Sequence, residues 1–252
     1  MGHLVDDAFR KIVRHQSSIT IRVVRRLFLA CACVASFWAF GRAAQAQSEA
    51  VSINNEPHHK RLLYTNDLRM WEVNLPAGQS TTAFRHEYDV ATVVVGDGTL
   101  NIQRNGEQVS ASSPNARGSV IVGEHTGAAA TYRIENTGTT EYRAFEVENM
   151  REGNWPPAQP LAAPGSSVVK ESRAFTVYDV VLKAGSPEVM HNHTGATIIV
   201  LLGGTLEQAG IGGTDPVRLP QFGQWLPLPR FQPHALTPIG SGDVHAIEIE
   251  VR

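Results

Sequence analysis

Two stretches of this chain pass through the same order of features about a hundred residues apart, and that repetition limits the fold more than any single motif. The first is VNLPAGQSTTAFRHEYDVATVVVGDGTL, followed by GSVIVG and then TYRIENTGTTEYRAFEVEN. The second is VVLKAGSPEVMHNHTGATIIVLLGGTL, followed by GQWLPLPRFQPHALTPIGSGDVHAIEIEV. Each has an Ala-Gly turn, a segment with histidine, an apolar strand, a Gly-Thr-Leu turn and a closing strand of the type AFEVE or AIEIE. A repeat of this length means two copies of one domain. Apolar residues recur at alternate positions, as in Phe145 and Val147 or Ile247 and Ile249, and no amphipathic helix longer than three turns can be found in the repeated region. With 22 glycines and 14 prolines punctuating Val/Thr/Ile runs, the expectation is an all-β fold of two tandem barrels.

The second copy carries the chemistry. His191 and His193 are two apart beside an apolar run bounded by glycines, which is a strand spacing: residues i and i+2 project from one face and can share a metal ion, whereas a helix would place ligands at i and i+4. His234, in GQWLPLPRFQPHALTP, is the candidate third ligand on a neighbouring strand. One histidine on an apolar strand is ordinarily a structural residue bonded to backbone; three in this arrangement point to metal. Both cysteines, Cys31 and Cys33, precede the repeats, so the ligands there must be nitrogen or oxygen. The remaining histidines read blandly: His58 and His59 lie in a polar entry segment and His245 on the closing strand. Trp225, Phe231 and Tyr178 are candidate pocket walls, and Met190 reads as core.

Residues 1–46 read as a cleaved export signal, with basic residues ending at Arg25 and Arg26, an apolar run from Leu27 to Phe40, and Ala44-Gln45-Ala46 before Gln47. The segment VRRLFLA resembles a twin-arginine signal, which carries folded proteins; an ordinary secretory signal is the other reading. Removing the seven Lys/Arg and two Asp/Glu of this segment from totals of 22 and 24 leaves a mature charge of about −7. The expectation is therefore a periplasmic or secreted protein with no membrane span after cleavage and no nucleic-acid partner. The N-terminal barrel is expected over 47–150, a Pro-rich linker containing NWPPAQPLAAPGSS over 151–170, and the C-terminal barrel over 171–252.

These residues resemble the cupin superfamily, whose first motif is Gly, five residues, His-x-His, three or four residues, Glu, six residues, Gly. Gly185, His191, His193, Thr197 and Gly204 match it at every spacing. The second motif runs Gly, five residues, Pro, x, Gly, two residues, His, three residues, Asn; Gly223, Pro229 and His234 keep its spacing, with Phe231 in place of Gly and Pro238 in place of Asn. With the repeat, the resemblance implies a bicupin of two jelly-roll barrels. Thr197 stands where the family has its carboxylate ligand, which implies a three-histidine site with open positions, and Glu188, of the wrong parity on a regular strand, is a surface carboxylate or a ligand only if the chain bends. In the first copy Gly78 leads to Phe84-Arg85-His86, Asp89 stands one position early for the carboxylate, and counting back from Asn136 lands on Tyr132 where the second-motif histidine belongs. His86, Asp89 and His125 are what remains there, a makeshift site or, more simply, a metal-free scaffold or subunit interface.

The function expected is that of a metal-dependent enzyme. One divalent transition metal (Fe, Mn or Zn), held by His191, His193 and His234, would be chelated by a small oxygen-bearing organic substrate, for dioxygenase-like chemistry with Fe or Lewis-acid isomerase or lyase chemistry with Zn or Mn. The alternative is a non-catalytic bicupin that stores a metal or senses a small ligand, and homo-oligomers through barrel edges fit either reading.

Overall fold

A computed structural model of the chain describes residues 50–151, 163–187, 189–210 and 215–252. The expected export signal, most of the Pro-rich linker and Glu188 lie outside the described residues. Among the described residues there is no α-helix, and no helix is long and apolar enough to cross a membrane. The all-β expectation holds.

The first copy contains β1 (Val51–Ser52), β2 (His59–Tyr64), β3 (Leu68–Leu75), β4 (Phe84–His86), β5 (Val90–Gly96), β6 (Gly98–Arg104), β7 (Ser113–Asn115), β8 (Val120–Gly123), β9 (Ala130–Asn136) and β10 (Tyr142–Asn149). The second contains β11 (Ser166–Glu171), β12 (Phe175–Leu182), β13 (Thr197–Gly203), β14 (Leu206–Gly210), β15 (Val217–Leu219), β16 (Trp225–Leu228), β17 (His234–Pro238) and β18 (Val244–Val251). Each copy has a five-stranded sheet of one topology, β2-β3-β10-β5-β8 in the first and β11-β12-β18-β13-β16 in the second. The opposing sheets correspond as well: β4-β9-β6-β7, with β1 added parallel at its edge, matches β17-β14-β15 once the bridge between His191 and His234 is counted in the place of β4. Two jelly-roll barrels with one strand order are the physical form of the sequence repeat. Gly78 (φ 73°) and Gly185 (φ 74°) make the same left-handed turn before the corresponding segments, a conformation that a Cβ disfavours.

The apolar alternation in the closing strands does not point into the barrels. Phe145 and Val147 of β10 pack with Ile247, Ile249 and Val251 of β18 in one buried cluster that also takes in Met70, Val93, Phe175 and Val200. The two large sheets therefore meet face to face between the barrels. At about 1.5–3 kcal/mol for each fully buried Val, Ile or Phe, this shared face is a major source of stability for both copies. Polar ties reinforce it: the Asn149 side-chain amide donates to the carbonyls of Ala174 and Arg252, both at 3.1 Å, and Arg173 grips the Asp89 carboxylate at 2.9 and 3.0 Å. Because the outer faces are spent on this contact, the alternate positions of β10 and β18 turn inward, and they are Glu146, Glu148, Glu248 and Glu250. Glu248 lies opposite Tyr178 and Ile199, both in the C-terminal interior cluster.

Candidate metal centre

His191 and His193 precede β13 rather than lying within it. His191 forms an isolated bridge to His234, the first residue of β17, with backbone N–H···O bonds of 2.9 and 2.8 Å in the two directions. The bridge sets these two imidazoles 4.2 Å apart, centroid to centroid, and places His193 5.5 and 5.4 Å from them. The sequence-derived trio is thus brought together, and a fourth donor that the sequence reading did not name joins it: donor atoms of His191, His193, His234 and Glu248 all lie within 4.8 Å of one another. It is the group of this kind among the described residues.

The orientation of each ring is set from behind. Nδ1 of His191 meets the Val189 carbonyl at 3.0 Å and Nδ1 of His234 meets the Gln232 carbonyl at 3.2 Å; a carbonyl only accepts, so each Nδ1 carries a proton and each Nε2 is turned inward, that of His234 to 3.4 Å from Glu248. His193 turns Nδ1 to Glu250 (3.4 Å) and Nε2 to Glu248 (3.4 Å). Glu250 is held in turn by the Thr194 N–H and hydroxyl (2.9 and 2.8 Å), the Gly195 N–H (3.0 Å) and the Tyr178 hydroxyl (3.2 Å). Gly195 is required there, since a Cβ would sit 1.8 Å from the Val251 carbonyl oxygen. Such outer partners fix ring orientation and ligand basicity at metal sites.

The electrostatics call for a cation. Burial works against the charge on Glu250, yet His193 and the surrounding donors hold its pKa at about 2. Burial likewise opposes the charge on Glu248, but the three imidazoles keep its carboxyl well below the usual range. The cost of burying the His193 imidazolium is outweighed by Glu248 and Glu250, which push its pKa up to about 9. Two buried carboxylates need positive charge, which a proton on His193 supplies in part and a divalent ion would supply in full. Nε2 of His191, Nε2 of His193 and Oε2 of Glu248 are buried without a hydrogen-bond partner. Three nitrogens and one carboxylate oxygen, with no thiolate, suit a divalent transition metal. The residues present therefore fit the group.

Four sequence expectations are corrected here. The site is not three-histidine alone, because Glu248 supplies the carboxylate from a strand distant in sequence. Thr197 stays outside the donor group, its hydroxyl directed to the Gly195 carbonyl at 3.4 Å. Trp225 is not a wall of the site, since it packs against the cluster between the barrels. Met190, read as core, is 47% exposed, and Phe231, at φ 59° and 57% exposed, donates its backbone N–H to the His193 carbonyl (2.9 Å) and so flanks the site at the surface. Tyr178 acts through Glu250.

In the N-terminal barrel the corresponding bridge pairs Phe84 with Tyr132, so two imidazole positions hold a phenyl and a phenol. His86 corresponds to His193: its Nδ1 meets Glu148 at 2.9 Å, and its Nε2 stands 3.5 Å from Glu146. His125 stacks on His86 with 5.5 Å between centroids. Asp89 turns away, accepting from Arg173 and from the N–H groups of His125 (2.6 Å) and Thr126 (2.8 Å). The makeshift trio of His86, Asp89 and His125 is therefore not assembled around one point. His59, read as a polar entry residue, is buried between Glu56 (2.6 Å) and Glu146 (3.5 Å). The sequence signal for the missed carboxylates was present in AFEVE and AIEIE, where glutamates alternate with the apolar residues.

No protein-family model matches the chain, and no curated protein matches it by sequence. Its fold is shared with solved structures. A cupin 2 conserved barrel domain protein from Leptotrichia buccalis superposes with a TM-score of 0.52 at 15% identity, covering 82% of this chain and 90% of that one. The oxalate decarboxylase of Lactobacillus farciminis, in a formate complex, gives 0.57 at 10% identity with 81% and 88% covered. A variant of the salicylate 1,2-dioxygenase of Pseudoaminobacter salicylatoxidans, in complex with gentisate, gives 0.59 at 11% identity with 86% and 79% covered. The fold of this chain is the cupin fold in two copies.

Proposed function

We propose that this chain, folded as a bicupin, is an exported metal-dependent enzyme whose C-terminal barrel holds one divalent transition metal (Fe, Mn or Zn) through Nε2 of His191, His193 and His234 and a carboxylate oxygen of Glu248. The observation that carries the reading is the convergence of these four buried donors, three of them with an atom lacking any other partner. When bound, the metal supplies Lewis acidity and, if redox-active, electrons to dioxygen. Four protein donors leave two positions of a six-coordinate ion for a chelating substrate, one fewer than the trio alone would leave.

The surroundings favour a small planar acid with a second oxygen. His191 has a side chain 10% exposed, against 0% for His234, so the approach is from the His191 side. There Met190 and Phe231 offer exposed apolar surface, and the Arg230 guanidinium stands 5.5 Å from the Phe231 ring centroid. Deeper in, Ile199, Leu201 and Leu236 belong to the buried apolar cluster that also contains Tyr178. The Val189 and Gln232 carbonyls hold the Nδ1 protons of His191 and His234, and Glu250 positions His193. The similar solved structures include a salicylate dioxygenase with gentisate and an oxalate decarboxylase with formate, so oxidative cleavage and decarboxylation of small carboxylates are the reaction classes to test.

The test is elemental metal content of the mature protein beside a His191→Ala/His193→Ala/His234→Ala variant, then oxygen uptake and product release with salicylate, gentisate and oxalate. Near-stoichiometric metal lost in the variant, with turnover of one acid, is expected. Absence of metal from the wild-type protein overturns the reading, and metal without turnover of a broad acid panel leaves the storage or sensing alternative. Mass of the purified mature chain, expected to begin at Gln47, checks export processing.

A further inference from the structure

The N-terminal barrel contains a cavity of about 110 Å³ that the metal centre does not use. Its walls are apolar, from Leu100, Ile134 and Ile121 among others, and its polar groups, Glu146, His125 and Tyr132, gather around His86. Ile121 is 44% exposed, so the cavity reaches the surface beside it. Two of the polar groups are unfinished. Oε2 of Glu146 stands 3.5 Å from Nε2 of both His59 and His86, at the limit of hydrogen bonding, and has no well-aligned donor, while Nδ1 of His125 has no partner. The Glu146 side chain is 8% exposed and His125 is 2% exposed. Buried polar atoms of this kind are ordinarily satisfied, so something that belongs in the cavity should complete them.

A metal ion is a poor candidate, because Phe84 and Tyr132 stand where the other barrel has His191 and His234, and no group of three donors gathers here among the described residues. His59, wedged between Glu56 and Glu146 outside the cavity, offsets the carboxylate charge from behind, so a cationic ligand is not needed, and an anionic one would meet the carboxylate. An apolar chamber on the scale of those that accept one benzene ring (about 150 Å³) selects a single ring. We propose that the N-terminal barrel is a second, metal-free ligand site that takes a monocyclic phenol, its ring among Leu100, Ile134 and Ile121 and its neutral hydroxyl donating to Glu146. The duplicated fold would then hold a metal in one barrel and an organic ligand in the other, as a regulatory or substrate-reserve site.

The test is titration of the full mature chain with phenol, toluene and benzoate, followed calorimetrically and by NMR of isoleucine methyl groups. Phenol is expected to bind with a Kd on the order of 0.1–1 mM, as suits a ligand of so few atoms, and to shift the methyls of Ile121, Ile102 and Ile134 while leaving Ile199 unmoved. Toluene should bind about tenfold more weakly, and benzoate should not bind. Ile121→Trp, a change at an exposed rim that the fold can absorb, should weaken phenol at least about tenfold by closing the mouth, and Glu146→Gln should weaken it by about tenfold through loss of the charged acceptor. Equal binding of phenol and toluene, shifts at Ile199 in place of Ile121, indifference to Ile121→Trp, or no binding at all would each overturn the proposal. None of these readouts depends on metal in the C-terminal barrel.

Discussion

The two barrels share strand order, turn glycines and a pair of inward glutamates on the closing strand, and they part at two side chains. Where the C-terminal barrel bridges His191 to His234, the N-terminal barrel pairs Phe84 with Tyr132. His193 and His86 correspond, as do Glu248 and Glu146, and even the outer support is parallel: the Tyr178 hydroxyl donates to Glu250 at 3.2 Å and the Trp71 ring N–H to Glu148 at 2.9 Å. The scaffold that orients a metal ligand is thus present in both copies. Exchanging two imidazoles for aromatic rings removes two donors and leaves the carboxylate pair to be neutralised otherwise, which in the first copy falls to His59 and Arg69.

The largest effect that would sharpen this contrast is on metal binding. Since a structural site of four ligands is worth about 10–16 kcal/mol, losing one of the four should cost two or more orders of magnitude in affinity, so His234→Ala should leave the purified protein nearly metal-free by elemental analysis. The contrast would break, informatively, in the double substitution Phe84→His with Tyr132→His: rebuilding the missing pair beside His86 and Glu146 should raise metal content from one to two equivalents per chain. A count that stays at one would mean that the barrels differ in more than those side chains. Glu250→Gln, which meets His193 from behind and also holds Thr194, Gly195 and Tyr178, should reduce metal affinity by about 10–100-fold without abolishing it, measured by competition with a chromophoric chelator.

A smaller effect, isolated by substitution in the N-terminal barrel, is read by pH. Burial opposes the charge on His59, but Glu146 and Glu56 outweigh it and raise its pKa to about 9, above the value near 6.5 of an unfolded chain. Its contribution is fully present below pH 6.5 and is lost as pH rises through about 9, an effect of up to about 3 kcal/mol. Wild type should therefore lose melting temperature across that window relative to His59→Gln. The smallest effect concerns the tie between the copies. Arg173 is 54% exposed while Asp89 is 4% exposed, so solvent screens much of the pair, and Arg173→Ala should cost about 1 kcal/mol in chemical denaturation.

Much of this was legible in the chain. The His-x-His pair and its partner at His234 were readable because the two cupin-like motifs keep their spacing in one copy, and the erosion at Phe84 and Tyr132 was readable by the same count in the other. The all-β class and the repeat followed from period-two patterning and from the glycines that make the turns. Glu248 was not legible in the same way. Alternation in AIEIE establishes that glutamates and isoleucines lie on opposite faces, but a strand pattern carries no label for which face is inside. The usual assignment, apolar inward, is reversed here.

What the sequence by itself determined, then, was the local geometry: where strands run, where they turn, and which residues share a face, because these depend on residues within a few positions of one another. What only the tertiary structure decided was what each face meets. The apolar face of β18 is claimed by the other barrel, so its carboxylates are driven to the interior, where the histidines converge on Glu248. The same packing buries His59 between two glutamates and sets Trp225 outside the site. These outcomes depend on contacts between segments a hundred residues apart, and no local pattern in the chain encodes which of two alternating faces a distant sheet will cover.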